Sequence, residues 1–189
     1  MIGQDFETVL AAAQHGSEAA FAELWHDCNP SLLRYLRVIA PDAAEDIAAE
    51  TWVQVVRGLP AFRGNEQNWR AWLFTTARRR VADLARRMAR RPAVSLDALP
   101  DLATAEFIGT HVPDAATLAL ENLDTQAAIA LVARLPPLQA EVIMLRVVAG
   151  LDPETAASLL GRSAGAVRVA AHRGLRRLAG MLAEEGVTR

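Results

Sequence analysis

Arginine is the residue type in this sequence that is best suited to binding a ligand, and it is concentrated between residues 69 and 91. Eight of the chain's twenty basic residues lie in this stretch, with Asp83 as its only acid. At about 100° per residue, one side of a helix would carry three of these arginines and two tryptophans: Arg79, Arg86, Arg90, Trp69 and Trp72. Guanidinium groups bind phosphates and planar rings stack on bases, so the pattern suits a nucleic acid. The alternative is a solvated charged face whose tryptophans pack against a neighbouring helix.

A second group of arginines lies near the C-terminus, where residues 162–178 contain five arginines and no acid. Two predicted helices meet here at Gly161, with the small Ala157 four residues earlier and the branched Val167 six residues later. A helix-turn-helix needs a small residue at the crossing, a glycine in the turn and an apolar anchor in the second helix. The second helix then directs four polar side chains outward, as a major-groove reader requires: Arg168, His172, Arg173 and Arg176.

Charge is distributed unevenly along the chain, although its net value is only -2. Residues 1–60 hold nine acids against three arginines, and residues 92–135 hold six acids against one arginine. The two basic stretches are therefore separated by acidic ones. This arrangement indicates a polyanion contacted at two places and not a generally basic protein.

Helical periodicity dominates the sequence and strand signals are nearly absent, so the predicted fold class is all-α. Four helices are predicted before Pro92, joined by short loops, which favours a compact four-helix bundle. An apolar stripe on the fourth helix is expected to face the bundle core: Phe74, Ala77, Val81, Leu84, Ala85 and Met88. Residues 92–118 have no clear periodicity and are predicted to be a flexible linker. Helical pattern returns from residue 119, and includes a heavily buried helix over 138–149 that contains Val147.

Several classes of protein are excluded or disfavoured. The single Cys28 cannot form an intramolecular disulfide and argues against a structural zinc site. The N-terminus lacks the pattern of a signal peptide, and no apolar run is long enough to cross a bilayer, so a soluble cytoplasmic protein is expected. A metal protein built on His26, Asp27 and Cys28 is a rival, but consecutive helical residues point about 100° apart and cannot converge on one ion. A stand-alone helix-turn-helix repressor is a second rival.

The order of the segments resembles a known family, the extracytoplasmic-function (ECF) branch of the sigma-70 family of bacterial RNA polymerase sigma factors. The resemblance lies in three segments: AEDIAAETWVQVVRGLPAFRG (44–64), WRAWLFTTARRRVADLARR (69–87) and LPPLQAEVIMLRVVAGLDPETAASLLGRSAGAVRVAAHRGLRRL (135–178). It implies an N-terminal four-helix sigma domain 2 over residues 1–91, a linker over 92–118, and a C-terminal helix-turn-helix sigma domain 4 over 119–189.

The resemblance also implies which residues bind the core polymerase. The acidic third helix matches the region that, in the family, grips the clamp helices of the β′ subunit. The residues carried over by this match are Asp42, Glu45, Asp46, Glu50, Trp52, Gln54 and Val55. An acidic, partly aromatic helix face suits a basic coiled-coil partner. The polymerase β flap is implied as a further contact.

For DNA near the start site, the resemblance assigns the loop before the arginine-rich helix to capture of a base flipped out of the minus-ten element. The aromatic position where melting begins matches Trp72, and the arginines would hold phosphates. The implied set is Arg63, Asn65, Glu66, Gln67, Asn68, Trp69, Trp72, Arg78, Arg79, Arg80, Arg86 and Arg87. An ordinary polar loop is the alternative for residues 62–68.

The last helix is implied to read the minus-thirty-five element through Arg162, Ser163, Arg168, Val169, His172, Arg173 and Arg176. Here the sequence departs from the family, because a basic-Ser-Arg-Leu-His run appears as Arg168-Val169-Ala170-Ala171-His172. Val169 or Ala170 could then touch a thymine methyl group, with the arginines on phosphate or guanine. Ala171 and Gly174 are also smaller than usual, so this helix is expected to pack either more closely or less firmly.

The function implied is that of a promoter-specificity subunit with no catalytic centre, cofactor or metal. It binds core RNA polymerase, recognises the minus-ten and minus-thirty-five elements and promotes DNA melting, in response to a stress or environmental signal. A repressing anti-sigma factor that covers the polymerase-binding and DNA-binding faces is the further partner that the resemblance implies. No membrane insertion is expected.

Overall fold

The computed structural model describes residues 2–90 and 125–184, and the linker prediction for 92–118 lies outside these ranges. The described residues form helices and no strands, which confirms the all-α class. The longer helices are α1 (Phe6–Gln14), α2 (Glu18–Ile39), α3 (Ala44–Gly58), α4 (Glu66–Arg90), α5 (125–133), α6 (Pro137–Ile143), α7 (Pro153–Leu160) and α8 (Ala164–Glu184). Short 3-10 turns occupy Gly3–Asp5, Pro41–Ala43 and Leu59–Ala61.

Helices α1 to α4 pack around large side chains that are fully buried, including Leu24 and Leu32 of α2, Val55 of α3 and Leu73 of α4. Because these residues recur every three to four positions, each helix buries one stripe and leaves the rest to solvent. The apolar stripe of α4 follows this rule only in part. Phe74 and Ala77 are fully buried and Val81 and Leu84 are half-buried, but Ala85 is exposed and Met88 is 66% exposed. The prediction that the stripe packs in the core as far as Met88 is therefore wrong.

The C-terminal helices contain the predicted helix-turn-helix. Gly161 ends α7 with φ +63°, a left-handed conformation that glycine adopts without steric cost. Ala157 and Val167 are both buried where the two helices cross. Ser163 caps α8, since its hydroxyl accepts a hydrogen bond from the Ala166 amide at 3.2 Å. The helix-turn-helix prediction is thus confirmed in its geometry.

A π-helical turn, Met144–Val148, follows α6 directly. The Ala149 amide donates to the Met144 carbonyl at 2.9 Å, five residues back. The wider turn rotates the following side chains relative to an α-helix, and Val147 is 65% exposed. The prediction that Val147 lies in a heavily buried helix is wrong for this reason.

The C-terminal helices lie against the N-terminal ones, and buried residues of both groups form one continuous apolar cluster. This cluster includes Tyr35 and Phe74 from the N-terminal part of the chain. It also includes Val142, Leu145 and Leu151 from the C-terminal part. Helices α2 and α4 form one side of the contact, and α6, the π-helical turn and α7 form the other. This packing determines which faces of the arginine-rich helix are open.

Candidate nucleic-acid interface and partner surface

An aromatic cluster surrounds the start of α4. Trp69 is 1% exposed, with its ring centroid 6.5 Å from that of Phe6 and 5.5 Å from those of Phe62 and Trp72. Phe62 stacks on Trp72 with an angle of 20° between the rings. The prediction that Trp69 shares the arginine-lined side of α4 is therefore wrong. Its indole is part of the bundle core, and it supports Trp72 from behind.

Trp72 is half-buried and forms one wall of a cleft between α3 and α4. The cleft has a volume of about 530 Å³ and is lined by Gln54, Arg57, Gly58, Trp72, Thr76, Arg79, Arg80 and Asp83. Gly58 permits the close approach of the ring, because a Cβ atom at this position would lie 2.7 Å from Cζ2 of Trp72. A planar ring beside guanidinium groups can stack on a base whose phosphate is held nearby. Gln54, one turn after Glu50 on α3, lines this cleft as well.

The loop that leads into α4 is ordered by its own side chains. The Asn65 amide donates to Oδ1 of Asn68 at 3.1 Å, and the Asn68 amide donates to Oδ1 of Asn65 at 2.9 Å, which caps the helix reciprocally. The exposed Arg63 donates from Nη1 to the carbonyls of Pro60 and Phe62. The loop therefore presents amide and guanidinium edges on a fixed backbone.

Glu66 has a different position from the one predicted. Its carboxylate accepts hydrogen bonds from the Ile2 amide at 3.2 Å, the Gly3 amide at 3.0 Å and Nε of Arg70 at 3.5 Å. Arg70 is 4% exposed and also pairs with Asp27. Glu66 thus ties the N-terminus to α4 and is withdrawn from the set of DNA-contacting residues.

The other polar residues assigned to minus-ten DNA fall into two groups. Arg79 and Arg87 are exposed, Arg80 lies 3.6 Å from Glu50, and Arg86 pairs with Asp83 one turn earlier. These weak surface pairs can be exchanged for phosphate. Gln67 and Arg78 instead contact the C-terminal helices: Nε2 of Gln67 donates to the Gly150 carbonyl, and Nε of Arg78 donates to Glu141.

Helix α3 presents an acidic and apolar face to solvent. The predicted partner residues on this face are exposed: Asp42, Glu45, Asp46 and Glu50. Arg37 donates to the Glu45 carboxylate at 3.1 Å and holds the pKa of that group below its usual value. Trp52 and Val55 are 7% and 0% exposed, and Nε1 of Trp52 donates to Asn29. The assignment of these two side chains to the partner surface is corrected, because they form the buried stripe of the helix.

Sequence reasoning missed the apolar part of this face. Val53 and Val56 are 49% and 50% exposed and border a groove of about 310 Å³ with Ala49, Phe21 and Trp25. A helical-wheel argument could have found them. The buried residues of α3 recur at Ala44, Ile47, Ala48, Thr51, Trp52 and Val55, and the two valines lie outside that stripe.

The seven residues assigned to minus-thirty-five DNA lie on α8 or immediately before it, and all are exposed: Arg162, Ser163, Arg168, Val169, His172, Arg173 and Arg176. Arg168 pairs with Glu154 of α7. Ala170 is 7% exposed, so the alternative that Ala170 touches a thymine methyl is wrong, whereas Val169 is 49% exposed. Gly174 is buried, and a Cβ atom there would lie 2.6 Å from Cδ1 of Ile143, so α8 packs closely on α6, which is the first of the two arrangements expected from its small residues.

The rival site at residues 26–28 has its own structural explanation. Burial raises the pKa of the Cys28 thiol to about 12, which disfavours the thiolate that binds metals. Asp27 pairs with Arg70. Within residues 2–90 and 125–184, no cluster of three His, Cys, Asp or Glu residues could hold a metal ion. The same described helices include none that is both long and apolar enough to cross a membrane.

Comparison with known proteins agrees with this arrangement. Residues 24–91 match the family model for sigma-70 region 2, and residues 125–178 match that for sigma-70 region 4. The chain is 37% identical to the ECF RNA polymerase sigma factor ShbA of Streptomyces griseus, over 92% of this chain and 95% of that protein. It is 32% identical to the ECF RNA polymerase sigma factor SigD of Mycobacterium tuberculosis, over 94% of this chain and 84% of that protein.

Two solved structures share the fold. One is CnrH in complex with the cytosolic domain of CnrY, with a TM-score of 0.61 and 22% identity over 96% of this chain and 99% of that chain. The other is the sigma factor RpoE of Bartonella quintana in complex with the anti-sigma factor NepR, with a TM-score of 0.59 and 22% identity over 86% and 96%. The chain belongs to the ECF family of RNA polymerase sigma factors. Members of this family are transcription initiation factors that bind core RNA polymerase and promoter DNA.

Proposed function

We propose that this chain directs core RNA polymerase to promoters by reading two DNA elements with two separate surfaces. Residues 1–91 act as the polymerase-binding and minus-ten domain, residues 92–118 as the linker, and residues 119–189 as the minus-thirty-five domain. The observation that carries the proposal is the cleft beside Trp72, where one aromatic ring and three arginines, Arg57, Arg79 and Arg80, meet close to a polar loop ordered by its own hydrogen bonds. The cytoplasmic location follows from the place where the polymerase works.

In this proposal, binding energy opens the DNA and no covalent chemistry is involved. A base that leaves the duplex enters the cleft and packs against the part of Trp72 that lines it, and the edges of Arg63, Asn65 and Asn68 contact the base. Stacking on an aromatic side chain is worth about 1–3 kcal/mol per base, which is comparable to the few kcal/mol that unpairing costs. Arg79 and Arg87 hold the neighbouring phosphates.

The polymerase contact is proposed for the exposed face of α3. Acids at Asp46 and Glu50 attract a basic partner, and the groove beside Val53 and Val56 supplies apolar area that such a contact can bury. The side chains of α3 that contact the polymerase are therefore proposed to include Val53 and Val56, and not the buried Trp52 and Val55.

The minus-thirty-five contact is proposed for the exposed face of α8. Val169 lies at its centre and meets a thymine methyl group, while Arg173 and Arg176 bind phosphate or guanine. Arg168 is partly directed away from DNA by Glu154. Sequence choice therefore depends more on shape and methyl contact than on hydrogen bonds.

Regulation by an anti-sigma factor and response to an environmental signal are further parts of the proposal. Support comes from solved structures of similar fold, since CnrH is in complex with the cytosolic domain of CnrY and RpoE with the anti-sigma factor NepR.

The decisive experiment is run-off transcription with core polymerase and a promoter library. The wild-type chain should give promoter-dependent transcripts, and Val53→Asp should lose core binding and transcription together. Leu182→Asp is the matched control, because Leu182 is 37% exposed at the far end of α8. Intact core binding without any promoter-dependent product would refute the function. A stable dimer that binds a palindrome without polymerase would favour the helix-turn-helix repressor instead.

A further inference from the structure

Helix α1 contacts the chain before α4 through the side chain of Gln14. Nε2 of this residue donates to the Leu59 carbonyl at 2.9 Å and to the Phe62 carbonyl at 2.9 Å. A primary amide has two N–H donors, and these two carbonyls use both of them. The carbonyls belong to the first residue of the 3-10 turn Leu59–Ala61 and to the residue that follows this turn. Gln14 therefore fixes the place where the chain leaves α3 and enters the polar loop.

The contact adds to a turn that has its own hydrogen bond. The Phe62 amide donates to the Leu59 carbonyl at 3.1 Å, which closes the turn locally. The bonds from Gln14 come instead from 45 and 48 positions away along the chain. Gln14 is only half-buried, and the apolar stripe of α1 supplies the residues that this helix buries in the bundle core: Phe6, Val9, Leu10 and Ala13.

Phe62 connects this contact to the candidate DNA surface. Its carbonyl also accepts a hydrogen bond from Nη1 of Arg63 at 2.6 Å, and the same nitrogen donates to the Pro60 carbonyl at 2.9 Å. A carbonyl oxygen has two lone pairs, so Gln14 and Arg63 can share it. The Phe62 ring stacks on Trp72 with centroids 5.1 Å apart. A shift of Phe62 would therefore displace both the guanidinium group of Arg63 and the indole of Trp72.

The N-terminal segment, residues 2–14, also holds the other end of the loop. Glu66 is the first residue of α4, and its carboxylate accepts hydrogen bonds from the Ile2 amide at 3.2 Å and the Gly3 amide at 3.0 Å. Together with the glutamine contact, these bonds fix residues 63–65 from both sides. Side chains that recognise a ligand need this kind of support, because their geometry is set by the residues behind them.

We propose that Gln14 is a positioning residue for base capture from the minus-ten element, and that its two hydrogen bonds set the sequence preference at the captured base. The inference rests on the proposed function, since it takes the loop before α4 and Trp72 as the place of capture. Gln14 acts without touching DNA. It holds the Phe62 carbonyl and ring in place, so that the guanidinium group of Arg63 meets the base edge in one orientation. A donor that is free to change orientation discriminates less between bases.

Transcription from a promoter library tests this role with holoenzyme assembled from core polymerase and the full chain. Both promoter elements are randomised, and the ratio of transcripts from the best and the worst base is measured at each position. Gln14→Met removes both donors and keeps the length of the side chain. It should lower the ratio at the captured base by about fivefold, the value of one ordinary hydrogen bond. Ratios within the minus-thirty-five element should stay the same.

The ratios separate positioning from general support of the fold. A variant that is merely less stable gives less active holoenzyme and lowers all transcripts alike, so its ratios are those of the wild type. Gln4→Met is the matched control, because it makes the same change on an exposed residue of the N-terminal segment and should leave every ratio unchanged. Gln14→Lys keeps a donor group at the end of the side chain and should retain most of the wild-type preference.

Two results would overturn the inference. One is a folded Gln14→Met chain with wild-type ratios at every position of the minus-ten element. The other is a loss in Gln14→Lys as large as that in Gln14→Met, because the donors would then not be responsible. If Gln14→Met does not fold by circular dichroism, Gln14→Ala decides by the same ratios, since alanine suits a helix and also lacks both donors.

Failure of this inference can be separated from failure of the proposed function. A wild type that prefers one base in the minus-ten element, with the same preference in Gln14→Met and Gln14→Ala, refutes only the positioning role. A wild type that binds core polymerase but gives no promoter-dependent product refutes the proposed function.

Discussion

Helices α4 and α8 both carry arginines proposed to contact DNA, but they are held in place by different kinds of contact. Glu66 and Arg78 of α4 bond to partners 63 and 64 residues away, at Gly3, Ile2 and Glu141. On α8, Arg168 pairs with a residue only 14 positions away. Tertiary structure therefore makes some arginines of α4 buried, places others in ion pairs and leaves others exposed to solvent. The arginines of α8 that are assigned to DNA are all exposed.

Two arginine-rich helices can therefore use the same residue type for different purposes. Arg70 is a core residue in spite of its place in the most basic stretch of the chain, because Asp27 and Glu66 neutralise it inside the bundle. The same residue type on α8 has no such environment. The following experiments, in decreasing order of expected effect, test how far the two helices differ.

Replacing Arg70 with Ala should destabilise the protein by about 3–5 kcal/mol, because it leaves two carboxylates without their buried partner. Arg173→Ala on α8 should change stability by no more than about 0.5 kcal/mol, since that side chain is exposed. Urea unfolding followed by tryptophan fluorescence measures both. All four tryptophans lie in the N-terminal helices, so the signal reports on the bundle that contains α4. Equal losses for the two variants would remove the distinction.

Trp72→Ala should reduce promoter opening by about tenfold or more, because stacking is worth about 1–3 kcal/mol per base. Binding of the holoenzyme to closed duplex DNA should change much less. Permanganate reactivity of unpaired thymines measures opening, and filter binding at low temperature measures the duplex complex. Trp72→Phe, which keeps a planar ring, is the control. If opening and duplex binding fell equally, the stacking role of Trp72 would be wrong.

Gly58→Ala should destabilise the protein by about 1–3 kcal/mol, because the new methyl group would lie 2.7 Å from the rigid indole of Trp72. Gly174→Ala should cost less, although its methyl group would lie 2.6 Å from Ile143. The atom it meets is the terminal methyl of a side chain that can change rotamer. Thermal melting of both variants makes the comparison, and a larger loss for Gly174→Ala would show that α8 is packed more rigidly than α4.

Asp152→Ala should cost about 1 kcal/mol at pH 7, through loss of the cap that accepts hydrogen bonds from the Thr155 amide and hydroxyl at 2.7 Å. These bonds lower the pKa of Asp152 below its ordinary value of 3.8. Its stabilisation is therefore fully present above that value and is lost as the pH falls through the lowered pKa. Melting curves from pH 7 down to pH 2 should show the wild type and the variant converging. Ser163→Ala, which removes a neutral cap from α8, should cost about the same at every pH.

The smallest expected effect is that of a single methyl group in the DNA. Replacing the thymine opposite Val169 with uracil should weaken promoter binding by about fourfold, the value of one buried methylene-sized group. Val169→Ala should be insensitive to the same replacement, since its shorter side chain does not reach the methyl. Competition binding of holoenzyme to a series of single thymine-to-uracil promoters locates the position. If no position responds in the wild type, Val169 does not read a methyl group.

The helix-turn-helix could be predicted from the sequence because its determinants are local. Ala157, Gly161 and Val167 lie within eleven positions, and the left-handed turn, the crossing and the buried anchor each follow from one residue type. A polar loop before the arginine-rich helix is also predicted from local residues, although α4 begins at Glu66, inside the predicted loop 62–68. Such features need only neighbours that the chain itself brings close.

Burial along α3 and α4 could not be predicted as well, because it depends on helices far away in the sequence. Trp69 and Trp72 are one turn apart and both contact Phe62, yet Trp69 also packs against Phe6 and is buried, whereas Trp72 is half-buried. The π-helical turn that exposes Val147 also has no local signal in an otherwise apolar run. A wheel diagram shows which residues share a face, but the neighbouring elements decide which faces are covered.

By itself, the sequence determined the helical class, the two basic elements, the helix-turn-helix and the resemblance to ECF sigma factors, since each of these depends on residue type and short spacing. Only the tertiary structure decided that Trp69, Trp52 and Val55 are core residues, that Glu66 ties down the N-terminus, and that Glu141 holds Arg78. The physical reason is that desolvation and ion pairing depend on what lies across a contact. Those partners come from up to 106 positions away along the chain.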